Sequence, residues 1–239
     1  EKPWNQKLVS ETATLLIESL KWLRKEKMLD INVLKCLPIN SYKFDEENMF
    51  YPIFHATKTA LFSLPLLPKL RSGFTSARGS VLGRTQDLRE LVNSKQLTAL
   101  SGESEKTYWL SGEITINRTP NLRTYLIEEL GIQELTPALL IDLLTEDFFV
   151  VQTDAWIRKF YEFLNKLPDQ HKRLGNIPFL RLENGEHTEF SSAINDTVFL
   201  PGKFTTDFPT VRHNVCNTEA SREFLVTLGL HEPDPVDDV

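Results

Sequence analysis

Residues 119–137, TPNLRTYLIEELGIQELTP, decide the fold that we predict for this chain, because they recur in part as residues 217–235, NTEASREFLVTLGLHEPDP. At an offset of 98 residues, the identical positions are Leu130/Leu228, Gly131/Gly229, Glu134/Glu232 and Pro137/Pro235. Each stretch is typical of a helix that ends at a glycine and is followed by a short link. A new helix then begins at an Asp or Thr cap followed by proline.

The capping residues of this pattern are nearly evenly spaced along the chain. Asp30, Thr136 and Asp234 lie at intervals of 106 and 98 residues, which is typical of a repeat array. We therefore predict a leading helix in 1–29, a first repeat unit in 30–135, a second in 136–233, and the start of a following unit in 234–239. On this interpretation the chain is a piece of a longer polypeptide. The alternative stays open: a Leu-Gly helix ending is common, and two unrelated helices can share it.

The two predicted units have the same order of elements. Each has a capped helix, an aromatic-rich helix, a proline-containing strand with a glycine turn, a return strand, and a helix ending in Leu-Gly. This order predicts a mostly helical α+β fold with a small antiparallel hairpin or sheet in each unit. The predicted helices are 8–27, 30–37, 48–63, 87–92, a helix from 120, 137–144 and 154–167. The predicted strands are 64–70, 75–82, 108–116, 177–182, 187–190, 197–200 and 210–215. The predicted core of the second unit contains Trp156, Phe160, Phe163, Phe179, Leu180 and Phe199.

Composition limits the function classes. The chain has 239 residues, 41% hydrophobic and 25% charged, as in ordinary globular domains. Its net charge of −6 disfavours broad nucleic-acid binding, and no apolar run is long enough to cross a membrane. Only two cysteines, Cys36 and Cys216, occur, far apart and without metal-ligand spacing. A reducing, cytoplasmic location fits this usage best.

No motif in the sequence predicts a catalytic, cofactor or metal site. Residues 78–85, RGSVLGRT, resemble a P-loop only faintly, because the glycines are one residue too close and Arg84 stands in place of the lysine. His213 and Cys216 supply two metal ligands where a structural zinc needs four. Glu183, Glu186 and His187 are explained by a polar hairpin turn without acid–base chemistry.

One local feature opposes the overall negative charge. Five basic residues fall within a short span that contains only one acidic residue, Asp87: Lys69, Arg71, Arg78, Arg84 and Arg89. If they share one edge of the first hairpin, they form a patch for phosphate, a nucleic-acid backbone or an acidic partner. A solvated surface with internal ion pairs is the simpler interpretation.

Several stretches together resemble a known family. They are residues 109–132, WLSGEITINRTPNLRTYLIEELGI, with WIRKFYEFL (156–164), IPFLRLENGEH (177–187), FPTVRHNV (208–215) and FLVTLGLHEPDPVDDV (224–239). They are similar to a region of very large proteins that carry a sacsin-like or NO VEIN-like ATPase module of the histidine-kinase and heat-shock-chaperone type, downstream of that module. The resemblance implies a cytoplasmic multidomain protein, chaperone-like or defence-related, whose ATP hydrolysis takes place elsewhere. The chain lacks an Asn-bearing helix followed by an Asp-x-Gly-x-Gly loop, so no nucleotide-binding residue carries over.

These observations leave two functional hypotheses. The first is a non-catalytic structural and interaction module, with the adjacent domains of the same polypeptide and a protein client as its partners. The second is a nucleic-acid-associated accessory domain of a defence enzyme that uses the basic stretch 69–89. The first is the main prediction, with no enzyme activity, cofactor or membrane partner in this segment.

Overall fold

A computed structural model of the chain describes residues 3–40, 46–102, 106–190, 197–202 and 207–233. Helices dominate and the strands are short, so the predicted mostly helical α+β class is confirmed. Among the described residues, no helix combines the length and the apolar character needed to cross a membrane. The predicted cap at Asp234 and the predicted start of a further unit lie outside the described residues.

The helices and strands follow each other in a mixed order. The helices are α1 (Pro3–Lys25), α2 (Ile31–Lys35), α3 (Tyr51–Ser63), α4 (Gln86–Leu91), α5 (Ser94–Ser101), α6 (Pro120–Glu128), α7 (Pro137–Leu143), α8 (Glu146–Val150), α9 (Asp154–Asn165) and α10 (Glu219–Thr227). The strands are β1 (Leu67–Pro68), β2 (Phe74–Thr75), β3 (Ser80–Gly83), β4 (Tyr108–Trp109), β5 (Glu134–Leu135), β6 (Leu180–Arg181) and β7 (His187–Thr188). Short 3-10 helices occupy Ala77–Gly79, Pro168–Asn176 and His213–Val215.

The chain divides into two compact units. The first unit contains the residues up to Gln86 together with Ser94–Leu135. The second contains Asp87–Asn93 together with the residues from Thr136 onward. The segment Asp87–Asn93, which lies inside the range 30–135 of the predicted first repeat, therefore belongs to the second compact unit.

In the first unit, α1 packs along α3, and both helices contribute to one aliphatic core. Leu20, Leu34, Leu61, Leu67 and Leu126 are almost completely buried in this core. Helix α2 begins at Asp30 as predicted. The Asp30 carboxylate accepts hydrogen bonds from the N–H groups of Asn32 and Val33, and the bond from Val33 is the main cause that lowers the pKa of Asp30.

The sheet of the first unit combines antiparallel and parallel pairs. Strands β1 and β2 form an antiparallel hairpin, and Lys69, just after β1, bridges Leu110 in antiparallel fashion. Strand β4, just before Leu110, runs parallel to β3, which runs parallel to β5. The order across the unit is therefore β2-β1-β4-β3-β5. The sequence predicts only antiparallel pairing, because strands of two to four residues carry no signal for distant parallel partners.

The core of the second unit is aromatic. Helix α9 presents Trp156, Phe160 and Phe163 to it, and Phe179 and Phe199 are buried in it as well. Leu180 is also buried, so the whole predicted core set is confirmed. Helix α10 packs along α9, and α4 adds Leu88 and Leu91.

Strand pairing in the second unit is mostly limited to isolated bridges. Strands β6 and β7 form an antiparallel hairpin, and Leu182 bridges Val211 in antiparallel fashion. Phe199 pairs in parallel with Thr210, and the N–H of Leu200 donates to the carbonyl of His231. The predicted strands 197–200 and 210–215 are thus single bridges, and His213–Val215 forms a 3-10 helix.

Several helix boundaries are predicted correctly from local sequence signals. Thr136 caps α7 as predicted, since its hydroxyl accepts a hydrogen bond from the N–H of Leu139. Gly131 and Gly229 have φ of 67° and 103° just after α6 and α10, as a left-handed helix end requires. Helices α5 and α8 and the 3-10 helix Pro168–Asn176 are not predicted, because they are short and lack a clear periodicity.

Candidate functional site

The basic stretch is distributed over both compact units. Lys69, Arg71, Arg78 and Arg84 belong to the first unit and Arg89 to the second. The Lys69 ammonium lies 4.1 Å from the centroid of the Tyr108 ring, which is cation–π geometry. Burial lowers the pKa of the Arg89 guanidinium.

Arg71 and Arg78 are the exposed members of the stretch that make no ion pair among the described residues. Arg84 is also exposed, but its guanidinium lies 3.1 Å from the Glu134 carboxylate. The positive charge that remains available for a partner is therefore concentrated on Arg71 and Arg78.

Glu134 joins two arginines in the first unit. It pairs with Arg84 through one carboxylate oxygen and with Arg123 of α6 through the other. Glu134 and Arg123 are about equally buried, with 16% and 14% of their side chains exposed. Because α6 is followed by the turn at Gly131, this pair ties the helix to β5. The arrangement is a structural clamp with its charges satisfied.

Arg181 in the second unit is a buried charged residue with several hydrogen-bond partners, and only 6% of it is exposed. Its guanidinium donates to the carbonyls of Phe149 and Gln152 at 3.0 and 2.8 Å and to the Asp154 carboxylate at 2.8 Å. The Nε–H donates to Nε2 of His187 at 3.1 Å. Arg181 thus joins the hairpin β6–β7 to the end of α8 and the start of α9.

Asp154 and His187 complete this cluster. The Asp154 carboxylate also lies 3.0 Å from Nε of Arg212, although that N–H is not aligned for a hydrogen bond. His187 accepts from Arg181 through Nε2, so its imidazole is neutral with the proton on Nδ1. Burial, and after it the Arg181 charge, lowers the pKa of His187.

From the sequence, His187 is predicted as part of a polar turn, and the role of Arg181 is not predicted. The only signal in the sequence that points to Arg181 is its place in the apolar run IPFLRL. A charged residue inside a predicted buried strand requires partners. Glu183 and Glu186 are exposed at the turn, where Glu183 accepts from the N–H of His213 and Glu186 accepts from Asn184.

The other candidate motifs have structural surroundings. In the P-loop-like stretch, the residues between the two glycines lie in the buried strand β3, so they form no phosphate-binding loop. Cys216 is buried, and burial raises the pKa of its thiol to about 11. Its Sγ lies 3.7 Å from the carbonyl of His213. In the part of the chain that the structure describes, no cluster of His, Cys, Asp and Glu is suited to hold a metal ion.

The described residues therefore offer a charged cluster with internal partners in each unit, and two exposed arginines of the basic stretch, Arg71 and Arg78, that make no ion pair within the described part of the chain. Comparisons of the chain with protein-family models, with curated proteins and with solved structures found no match.

Proposed function

We propose that this chain is a non-catalytic structural and interaction module made of two tandem copies of one helical-plus-hairpin unit. It belongs in this proposal to a large cytoplasmic protein of the sacsin-like or NO VEIN-like kind, chaperone-like or defence-related, with ATP hydrolysis in another domain. Its partners are adjacent domains of the same polypeptide and a protein client. The observation that carries the proposal is a matched set of backbone hydrogen bonds in the two units.

The first matched set is in the hairpins. Leu67 faces Thr75 in the first unit, and Leu180 faces Thr188 in the second. The N–H of Lys69 donates to Gly73 O, as that of Leu182 donates to Glu186 O. All these pairs are related by one constant offset in the sequence.

The second matched set joins each hairpin to a distant segment. In the first unit, Leu70 N–H donates to Trp109 O and Ser111 N–H donates to Pro68 O. In the second unit, the corresponding bonds run from Glu183 to Thr210 O and from Arg212 to Arg181 O. The antiparallel bridges Lys69–Leu110 and Leu182–Val211 lie between them.

The third matched set is parallel. Val81 pairs with Trp109 as Phe199 pairs with Thr210. Leu82 N–H donates to Gln133 O as Leu200 N–H donates to His231 O. This shared long-range pattern supports the duplication of one unit over the alternative that the sequence left open, in which two unrelated helices share a common ending.

A similar ion pair follows the last helix of each unit, although its arginine is shifted by one residue at the offset of 98 that aligns Glu134 with Glu232. Arg123 on α6 pairs with Glu134 after the turn at Gly131, and Arg222 on α10 pairs with Glu232 after the turn at Gly229. Between β3 and β4 the sequence contains α4 and α5, and nearly all of α4 belongs to the second compact unit. A module whose buried charged groups are occupied in stabilising each unit internally is suited to a scaffold role.

The alternative, a nucleic-acid-associated domain, rests on Arg71 and Arg78. We would test both ideas by measuring binding of labelled single- and double-stranded DNA and RNA at low and moderate salt. The scaffold proposal expects no binding above a control protein of equal charge. Binding that falls steeply with salt would favour the alternative.

Charge reversal makes the test specific. The double variant Arg71→Glu, Arg78→Glu removes the two exposed charges of the basic stretch that make no ion pair among the described residues. Arg84→Glu is the matched control, since it places a second negative charge beside Glu134 and affects folding rather than binding. ATP turnover by the isolated chain would contradict the non-catalytic assignment.

A further inference from the structure

The guanidinium of Arg181 holds three segments of the second unit together, and one of its bonds depends on a titratable acceptor. Phe149 O and Gln152 O lie at the end of α8, and the Asp154 carboxylate lies at the start of α9. The two backbone carbonyls do not titrate. His187 on β7 is different, because a protonated imidazole has two N–H donors and no acceptor.

The charges around His187 favour its neutral form. From β6, the Arg181 guanidinium faces it directly at 3.1 Å. From α8, which packs against β7, the Phe149 ring lies 6.0 Å away, and the two carboxylates of that helix, Glu146 and Asp147, are exposed. On its own hairpin, Glu186 is exposed and accepts from the Asn184 amide.

The remaining nearby charges act through Arg181. Asp154 on α9 is paired with both Arg181 and Arg212, so one carboxylate faces two guanidinium groups. A proton added to His187 would therefore place a third positive charge in a cluster with a single carboxylate. The repulsion between that charge and the Arg181 guanidinium is strong because Arg181 is almost completely buried.

We propose that the hairpin β6–β7 is a pH-sensitive clasp: protonation of His187 breaks its cross-strand bond to Arg181 and loosens β7 from β6, while Arg181 keeps its bonds to the junction of α8 and α9. The proton adds to Nε2, which becomes a donor facing the Nε–H of Arg181. Acidification thus loosens β7 while the rest of the core stays folded. Such an element gives the module a surface that is exposed only under acidic conditions.

The first unit contains a built-in reference. Its hairpin has the same backbone bonds, but Pro68 faces Phe74 where Arg181 faces His187. The reference hairpin contains no titratable pair at this position. An effect of acid on the whole protein lowers the amide protection of both hairpins, whereas the proposed effect lowers it only in the second.

The test is amide hydrogen exchange on the full chain, followed by NMR at about pH 7.5 and about pH 5, with protection corrected for intrinsic exchange. The matched amides are Leu182 with Lys69, whose bonds lie within the hairpins, and Glu183 with Leu70, whose bonds run to distant segments. We expect the protection of Leu182 to fall by about threefold or more at the lower pH relative to Lys69, and the protection of Glu183 to change no more than that of Leu70. An equal fall in both hairpins, or no fall, would overturn the proposal.

Two variants separate titration from structure. His187→Gln keeps an acceptor for Arg181 but does not titrate, so the protection of Leu182 is expected to be independent of pH in this range. His187→Phe introduces the residue of the reference hairpin and gives the same expectation if it folds. Persistence of the acid effect in His187→Gln, or a His187 ring that titrates at about 6.5 or above by NMR, would also overturn the proposal.

Discussion

Trp156 is the best single position for testing the packing of the second unit. Only 8% of it is exposed, its ring stacks on Phe160 with centroids 5.3 Å apart, and the Phe148 ring meets it edge-on at 5.4 Å. Its indole Nε1–H donates a 2.8 Å hydrogen bond to the carbonyl of Leu91. Replacement by alanine removes the ring contacts and the hydrogen bond together.

The cost follows from these contacts. A buried Trp side chain removes about 200 Å² from water, which is worth about 5 kcal/mol at about 25 cal/mol per Å². Alanine retains about 1 kcal/mol of this, and the unpaired carbonyl of Leu91 adds about 1–3 kcal/mol. Relaxation around the cavity offsets part of the total, so Trp156→Ala is expected to destabilise the second unit by about 3–5 kcal/mol.

The assay is urea unfolding of the full chain, monitored by circular dichroism and analysed for two transitions because the chain has two compact units. Trp156→Phe is the matched control. It keeps an aromatic ring on Phe160 but loses the bond to Leu91, so it is expected to cost about 1–3 kcal/mol. The reasoning is refuted if Trp156→Ala is as stable as the wild type, or if the two variants cost the same.

Three further predictions concern backbone, charge and thiol chemistry. Gly131→Ala and Gly229→Ala should each lower the free energy of unfolding by about 1–2 kcal/mol, because the φ values of 67° and 103° disfavour a Cβ. Gly175→Ala should not, since Gly175 has an ordinary φ. Equal melting temperatures for the three variants in thermal denaturation would contradict this prediction. Glu134→Gln should lower the free energy of unfolding by about 2 kcal/mol, since it weakens two ion pairs at a largely buried carboxylate. Glu232→Gln should lower it by less than about 1 kcal/mol, because the Glu232 side chain is half exposed. Urea midpoints in the reverse order would contradict the greater structural importance of Glu134. Exposed Cys36 should react quickly with a thiol reagent at about pH 8 and buried Cys216 slowly, because burial raises the pKa of Cys216 from 9.0 to about 11. Equal reaction rates of Cys36 and Cys216 in the native protein would contradict this prediction. Since folding raises this pKa, the contribution of the Cys216 thiol to stability is lost as the pH rises from 9.0 through about 11.

Local features of the molecule were predictable from the sequence alone. Asp30 and Thr136 cap their helices because a side-chain oxygen next to a free N–H is decided within a few residues. The buried face of α9 follows from its apolar spacing. Gly131 and Gly229 end their helices because only a glycine adopts the left-handed conformation at low cost.

The tertiary structure alone decided which distant segments meet. The parallel pairing of β3 with β4 and β5, and the placement of Asp87–Asn93 in the second compact unit, join residues that no local pattern connects. The same holds for Arg181, whose partners lie on α8, α9 and β7. Periodicity reports which face of a segment is buried, but a buried charge is stable only where the folded chain brings its partners within hydrogen-bond distance. For this reason, the clamp at Glu134 and the clasp at Arg181 are properties of the fold.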